Sequence, residues 1–352
     1  MTSRERITRM YEHRDADRVP ICDTPWASTL ERWHREGLPG DVPYYDYFEL
    51  DPVHGVEVDI SPRYEQKIVE DRPDYVVRTT RWGATERNWR HATSTPEYLG
   101  FKVVDPDTWR QAKARMTPAE DRIPWEWLKT RYPEYRQRGH WIQAKFRFGF
   151  EAVHAFTVGT ERTLMALCTD PEWITGMFNH YLDMNIAHFD SLLEKGYRFD
   201  AMNWTDDIAF KNSQFFSLAM YRELLKPVHR RAVEWAHARG MKAKYHSCGD
   251  IIPFLPDLIE IGIDGLHPLE VKAGVNPVAV KHAYGDRLVL HGGVDARLWE
   301  DEAQMEAYVR RILPVMKAGG GYIFSTDHTV PDSASLATFK HIMNLVRELG
   351  AY

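Results

Sequence analysis

The feature that most constrains the fold is a run of short strand patterns, nearly all followed by a helical pattern and sustained without long interruption from residue 140 onward. Strand patterns fall at 18–23, 55–60, 140–151, 199–204, 241–245, 264–269, 288–291 and 322–325. Helical patterns follow at 28–37, 106–132, 160–195, 213–239, 250–262, 275–284, 302–318 and 333–349. Parallel strands need crossovers of a dozen or more residues, usually helices. Eight such units predict an α/β fold, a (β/α)8 TIM barrel rather than an open doubly wound sheet. No G-x-G-x-x-G follows a strand, so a dinucleotide fold loses its main support. A polar helical pattern over 2–13, with Ser3 as N-cap, adds an N-terminal helical extension. Residues 65–104 break the alternation and turn at Arg72-Pro73-Asp74 and at Gly83, as antiparallel hairpins do. This segment is expected as a β-hairpin insertion after the second strand, within a single domain spanning 1–352.

Composition narrows the partners. A net charge of −6, with dispersed Lys and Arg, leaves no basic footprint for nucleic acid. No apolar run approaches the ~20 residues of a membrane span, so no membrane partner is expected. Cys22, Cys168 and Cys248 lie far apart, and an odd, sparse set fits a reducing cytoplasm. A small-molecule substrate is the expected ligand.

In a barrel, functional groups sit just after strands, at the C-terminal face. The strand ends here carry Cys22 and Asp23, Asp59, Phe148 and Glu151, residues 203–207, His246 and Cys248, His267 and Glu270, His291 and Asp295, and Asp327 and His328. Within M-K-A-K-Y-H-S-C-G-D, His246 and Cys248 are two residues apart at a strand's end and point the same way. Imidazole and thiolate suit zinc, with His328 or Asp327 the best-placed third ligand and Glu270 next. The same pair is compatible with thiol nucleophilic catalysis near a helix N-terminus, or with a buried Cys and a capping His. In Trp204-Thr205-Asp206-Asp207, adjacent carboxylates stand beside an aromatic plane, and one could act as general acid while the other stays ionised. Trp26, Phe146, Phe148 and Trp204 are expected to line the mouth and suit an aromatic methoxyl substrate, with Asn203, His267 and Asp327 as further substrate-binding positions.

From R-E-R-I-T-R-M-Y-E-H-R-D-A-D-R-V-P to the end, the chain resembles the uroporphyrinogen decarboxylase superfamily, which also contains corrinoid-dependent methyltransferases. The most specific stretch is H-S-C-G-D…G-I-D-G-L-H-P-L-E…L-V-L-H-G-G-V-D…G-G-G-Y-I-F-S-T-D-H. The decarboxylases use an R-Q-A-G-R-Y-type segment after the first strand and an Asp after the second. Asp59 matches that Asp, but C-D-T-P-W-A-S-T-L stands in place of the arginine segment. The methyltransferase branch holds zinc with H-x-C after the fifth strand and a Cys after the eighth. Here His246 and Cys248 are kept, and S-T-D-H puts His328 at the remaining position. The resemblance implies zinc-dependent methyl transfer between a small methylated substrate and a cobalamin bound to a separate corrinoid protein, in a homodimer. His246, Cys248 and His328 would hold metal, and Asp206, Asp207 and Glu270 would serve as acid/base or supporting groups. A lyase acting on a tetrapyrrole or aromatic acid through Asp59 is the alternative, and a non-catalytic tetrapyrrole-binding module is a third reading.

Overall fold

The computed structural model describes residues 1–91 and 95–352. The strands in chain order are β1 (Val53–Glu57), β2 (Ile68–Asp71), β3 (Tyr75–Thr79), β4 (Ala84–Trp89), β5 (Glu97–Phe101), β6 (Trp141–Arg147), β7 (Ala201–Thr205), β8 (Ala209–Phe210), β9 (Ser213–Gln214), β10 (Lys242–His246), β11 (Gly265–His267), β12 (Val289–His291) and β13 (Tyr322–Ile323). Seven of them form one parallel sheet in the order β1-β6-β7-β10-β11-β12-β13, with helices between successive strands.

The segment expected as the first strand behaves differently from the others. Pro20 has no N–H to give a ladder, so 18–23 makes isolated bridges instead of a strand. The Cys22 N–H donates to Phe324 O (2.9 Å), and the Phe324 N–H donates to Pro20 O (2.8 Å). On the other side, the Asp51 N–H donates to Ile21 O (2.7 Å). The segment thereby touches both edges of the sheet, next to β13 and just ahead of β1.

Helix boundaries follow capping chemistry. The pattern read as one helix over 160–195 is two, Thr160–Thr169 and Pro171–Glu194, because Asp170 caps the second and Pro171 occupies its first turn. The pattern over 106–132 likewise divides into Pro106–Lys113 and Trp125–Gln137. At the N-terminus, Thr2 rather than Ser3 is the cap of helix Ser3–Tyr11, in a reciprocal pair with Glu5. That helix closes the bottom of the sheet: Tyr11 stacks on Trp141 (5.5 Å between centroids), and its hydroxyl fills the space a side chain at Gly265 would need.

The 65–104 segment carries a separate four-stranded antiparallel sheet, β2-β3-β4-β5. Its turns fall where Pro73 and Gly83 place them, with hydrogen bonds from Arg72 N–H to Tyr75 O and from Gly83 N–H to Thr80 O. The stretch 92–94 within this segment lies outside the described residues.

Two buried carboxylates tie the 18–23 segment into the sheet. Asp51 accepts from the Arg6 guanidinium, from Arg18 (2.6 Å) and from the Ile21 N–H (2.8 Å). Asp23 accepts from the Thr326 hydroxyl (2.8 Å) and N–H (3.2 Å), and from the Thr24 N–H (3.2 Å). Burial pushes the Asp23 carboxyl up to about 7, against the opposing effect of those hydrogen bonds.

Asp51→Ala leaves two guanidinium groups and the Ile21 N–H without their shared acceptor. It is expected to cost about 3 kcal/mol in urea denaturation, the low end for a broken buried pair because Arg6 keeps Asp17. Asp23 gives a pH test. Its folded value near 7 lies above the ordinary 3.8, so the folded state holds the extra proton in between, and stability is lost as pH rises through that window. Asp23→Asn should therefore flatten the fall in urea midpoint between pH 4 and 7, with little change below it.

Candidate active site

Strand periodicity decides which side chains face the interior. In β6, Gln143 and Lys145 point inward, in β7 Asn203 and Thr205, and in β10 Lys244 and His246, joined by His267 and His291 at the ends of β11 and β12. They line a cavity of about 430 Å³ that runs past the 18–23 segment to Tyr44 and Tyr45. The register sets these groups in layers: Lys145, Asn203 and Lys244 are Cα partners, and one layer above them stand Arg147, Thr205, His246 and His267.

The loops after β7 and β10 bring three ligand-type atoms together. Asp207, His246 and Cys248 each offer one donor atom, all within 4.8 Å of one another. His246 Nε2 lies 3.6 Å from Cys248 Sγ and 3.8 Å from Asp207 Oδ1. His246 Nδ1 is hydrogen-bonded to His267 Nδ1 (2.7 Å), which fixes the ring so that Nε2 faces the cluster. Burial, then the nearby Lys244 and His328, pushes His246 down to about 3, so the imidazole is neutral, the form that ligates metal. Burial pushes the Cys248 thiol and the Asp207 carboxyl up, each helped by neighbouring carboxylates including Glu270. This set of N, S and O donors fits zinc, which would displace the thiol proton and relieve the crowding of negative charge.

The loop is held by backbone donors. Asp207 Oδ1 accepts from the Cys248 N–H (2.8 Å), and Glu270 accepts from the Gly249 N–H. Gly249 has φ +88°, and a Cβ there would lie 2.5 Å from the backbone of Ala209 and Phe210, so the turn after Cys248 requires glycine.

The other expected site residues fall in distinct places. His328 is not in the three-residue cluster; its ring lies against Trp26, 5.8 Å between centroids. Asp206 is fully buried away from Asp207, accepting from the Glu151 N–H (2.6 Å) and pairing with His229 Nε2 (2.8 Å). Gly149 makes room for it, since a Cβ there would meet its carboxylate at 2.1 Å. Phe148 and Trp204 stack on each other at 6.0 Å with no exposure, and Phe146 packs on Phe189 and Trp235. These three rings face the helices, on the opposite side of their strands from the cavity. Asn203 and His267 line the cavity. Asp327 accepts from the N–H groups of Val271 (2.8 Å), Lys272 (3.4 Å) and Ala296 (2.9 Å), which occupies its carboxylate in joining loops.

Asp59 sits among cations. Burial raises its carboxyl, but hydrogen bonds from Ser61 (2.6 Å) and Arg63 (2.7 Å) outweigh this, and Arg81 stands 3.7 Å away, so it is held below the usual range. Glu151 is the reverse case. Burial, with Asp207 and Asp206 adding to it against Arg147, pushes it up to about 8.

Lys145, Lys244 and Gln143 were not among the expected site residues, and His291 was expected only as a strand-end group without a role. Their signal was present: polar residues at every second position of strands otherwise buried on both faces, where apolar runs are the rule.

The model of the uroporphyrinogen decarboxylase (URO-D) family matches residues 152–349. No curated protein matches the sequence. Among solved structures, a methyltransferase from Methanosarcina mazei is similar over 99% of this chain and 98% of its own, with 15% identity and a TM-score of 0.64. A chitinase from Chromobacterium violaceum is similar over 78% and 68%, with 8% identity and a TM-score of 0.32. The first likeness is one of fold, and the second is too distant to support an argument. Among the described residues no helix is long and apolar enough to cross a membrane. The family match spans more than half of the 352 residues and takes in the His246–Cys248 loop, and the chain belongs to the uroporphyrinogen decarboxylase family.

Proposed function

We propose that this protein is a zinc-dependent methyltransferase, moving a methyl group between a small methylated substrate and a corrinoid carried by a separate protein. A methoxylated aromatic is the substrate class we favour. In this reading the 18–23 segment serves as the first of eight barrel strands, and 65–104 is an insertion on the rim.

The observation that carries the proposal is the convergence of Asp207, His246 and Cys248 within 4.8 Å at the ends of neighbouring strands. Three protein donors with a position left for substrate describe a catalytic rather than a structural zinc site. Asp207 replaces His328 as the third ligand, because it already approaches His246 Nε2 and takes its orientation from the Cys248 N–H. Bound there, zinc would supply Lewis-acid activation of the heteroatom that gives up or takes the methyl group.

The chain's own residues do the rest. His267 orients His246, and Glu270 pins the turn at Gly249. Glu151, at about 8, holds a proton near neutral pH within electrostatic reach of Asp207, as a general acid for a leaving oxygen requires.

Decarboxylation, the reaction the family is named for, is less well supported. Asp59 is committed to Arg63 and Ser61 and kept ionised, which suits a fixed anion better than a proton shuttle. The cavity of about 430 Å³ lies toward the small end of ligand pockets, a better match for a single ring than for a tetrapyrrole.

Elemental analysis of the purified protein should find about one zinc per chain, lost in Cys248→Ala and Asp207→Ala and retained in His328→Ala. The reverse pattern for the last two variants would restore His328 as the ligand. Methyl transfer from a methoxylated aromatic to cob(I)alamin, followed by absorbance, should fall by at least ~100-fold in Cys248→Ala. Metal-free wild-type protein with intact transfer would overturn the proposal.

A further inference from the structure

The cavity beneath the cluster has a composition that its neighbours do not explain. Lys244 is buried on the inward face of β10, and its hydrogen bond goes to a neutral partner, His291 Nδ1 (2.6 Å). No carboxylate lies within ion-pair distance of it among the described residues. The His291 Nδ1 that accepts from Lys244 leaves its Nε2 carrying the proton, and that atom is buried without a hydrogen-bond partner. Across the cavity, Gln143 Oε1 is also buried without one. Gln143 and His291 are each more than nine-tenths buried.

Buried polar atoms are satisfied in native proteins as a rule, so two residues of one cavity lining that each carry an orphan atom point to a ligand that completes them. The charge balance says what kind. Lys244 and Lys145 both face the cavity, and Lys145 has only a distant approach from Glu57 (3.8 Å). The two acids bordering the cavity are already occupied: Asp51 by Arg6, Arg18 and the Ile21 N–H, and Asp23 by Thr326 and Thr24. His54 and His291, which also line the cavity, are driven toward the neutral form by burial and add little charge. The remaining charge is cationic, and at Lys244 it is buried, which is costly without a counter-charge.

We propose that the cavity binds a small organic carboxylate, its two oxygens taken by the Lys244 ammonium and the His291 Nε2–H, with Gln143 Oε1 accepting from a hydroxyl or amine on the same molecule. Lys145 supplies a second cation at the same level, as the Lys145–Asn203–Lys244 register places it. Tyr44 and Tyr45 wall the far end with aromatic surface, which suits an unsaturated ring. Identifying this acid as the methyl-bearing substrate rests on the methyl-transfer reading; the anion site itself does not.

The test is isothermal titration calorimetry with 4-hydroxy-3-methoxybenzoate and with its neutral isostere 4-hydroxy-3-methoxybenzamide, at equal ionic strength. Wild-type protein should bind the acid about tenfold or more tightly than the amide, as a charge-assisted pair in a buried site requires. Lys244→Met should abolish that preference, weakening the acid about tenfold and leaving the amide within about twofold. The wild-type comparison stands by itself should Lys244→Met fail to fold. Equal binding of acid and amide, no binding of the acid, or a preference that survives in folded Lys244→Met would each overturn the proposal. Preference for the acid in a protein that holds no zinc and transfers no methyl group would uphold the anion site and sink the methyl-transfer reading alone.

Discussion

The architecture depends on carboxylates that accept backbone N–H groups from neighbouring loops around the C-terminal face. Asp206 holds the Glu151 N–H and Asp207 the Cys248 N–H. Glu270 holds the Gly249 N–H, Asp327 those of Val271, Lys272 and Ala296, and Asp23 that of Thr326. Strands of two to seven residues fix little of the loops they feed. A hydrogen bond from an amide to a buried, charge-capable acceptor is among the stronger ones available, so these links set where each loop can go. The price is a ring of acids crowded at low dielectric, visible in the upward push on Asp23, Glu151, Asp206, Asp207 and Asp327.

This girdle explains what could and could not be read from the sequence. The strand and helix alternation was legible because period-two and period-3.6 patterns are properties of the chain itself, and the turns at Pro73 and Gly83 were legible for the same reason. Polar residues at nearly every strand end read as chemistry. Several are the scaffold of the loops, and Asp206, paired with His229 beneath the face, is the clearest case. Which of two adjacent aspartates turns outward is settled by a glycine 57 positions earlier in the chain, Gly149, whose missing side chain admits the Asp206 carboxylate. No local pattern carries that information. The aromatic residues misled for a related reason: Trp204 and Phe148 lie at the right height but on the helix-facing side of their strands, one residue out of phase with Asn203 and the cavity.

The metal-type cluster was half legible. His246 and Cys248 share a face by their spacing alone, and their neighbour across the β7 to β10 pairing could be named only once the register was known. His246 is the Cα partner of Thr205, which brings the next turn of that strand, and with it Asp207, over the loop. His328 arrives from the far side and meets Trp26 instead. Sheet geometry thus brings Asp207 to His246 and Cys248, where analogy along the sequence had pointed to His328.

The same period of two that exposes His246 to the cluster turns Lys244 into the cavity below it, and this coupling has an electrostatic consequence. A histidine that is to ligate metal must stay neutral, and in many sites a carboxylate behind the ring raises its basicity instead. Here the partner behind His246 is His267, itself driven neutral, and the nearest buried cation is Lys244. The cation and the burial both oppose protonation of His246, so Nε2 keeps its lone pair for a ligand well below neutral pH. An anion seated against Lys244 would reduce that opposition from below while metal increased it from above. Occupancy of the cavity and the donor strength of His246 would therefore be linked through two residues of one strand.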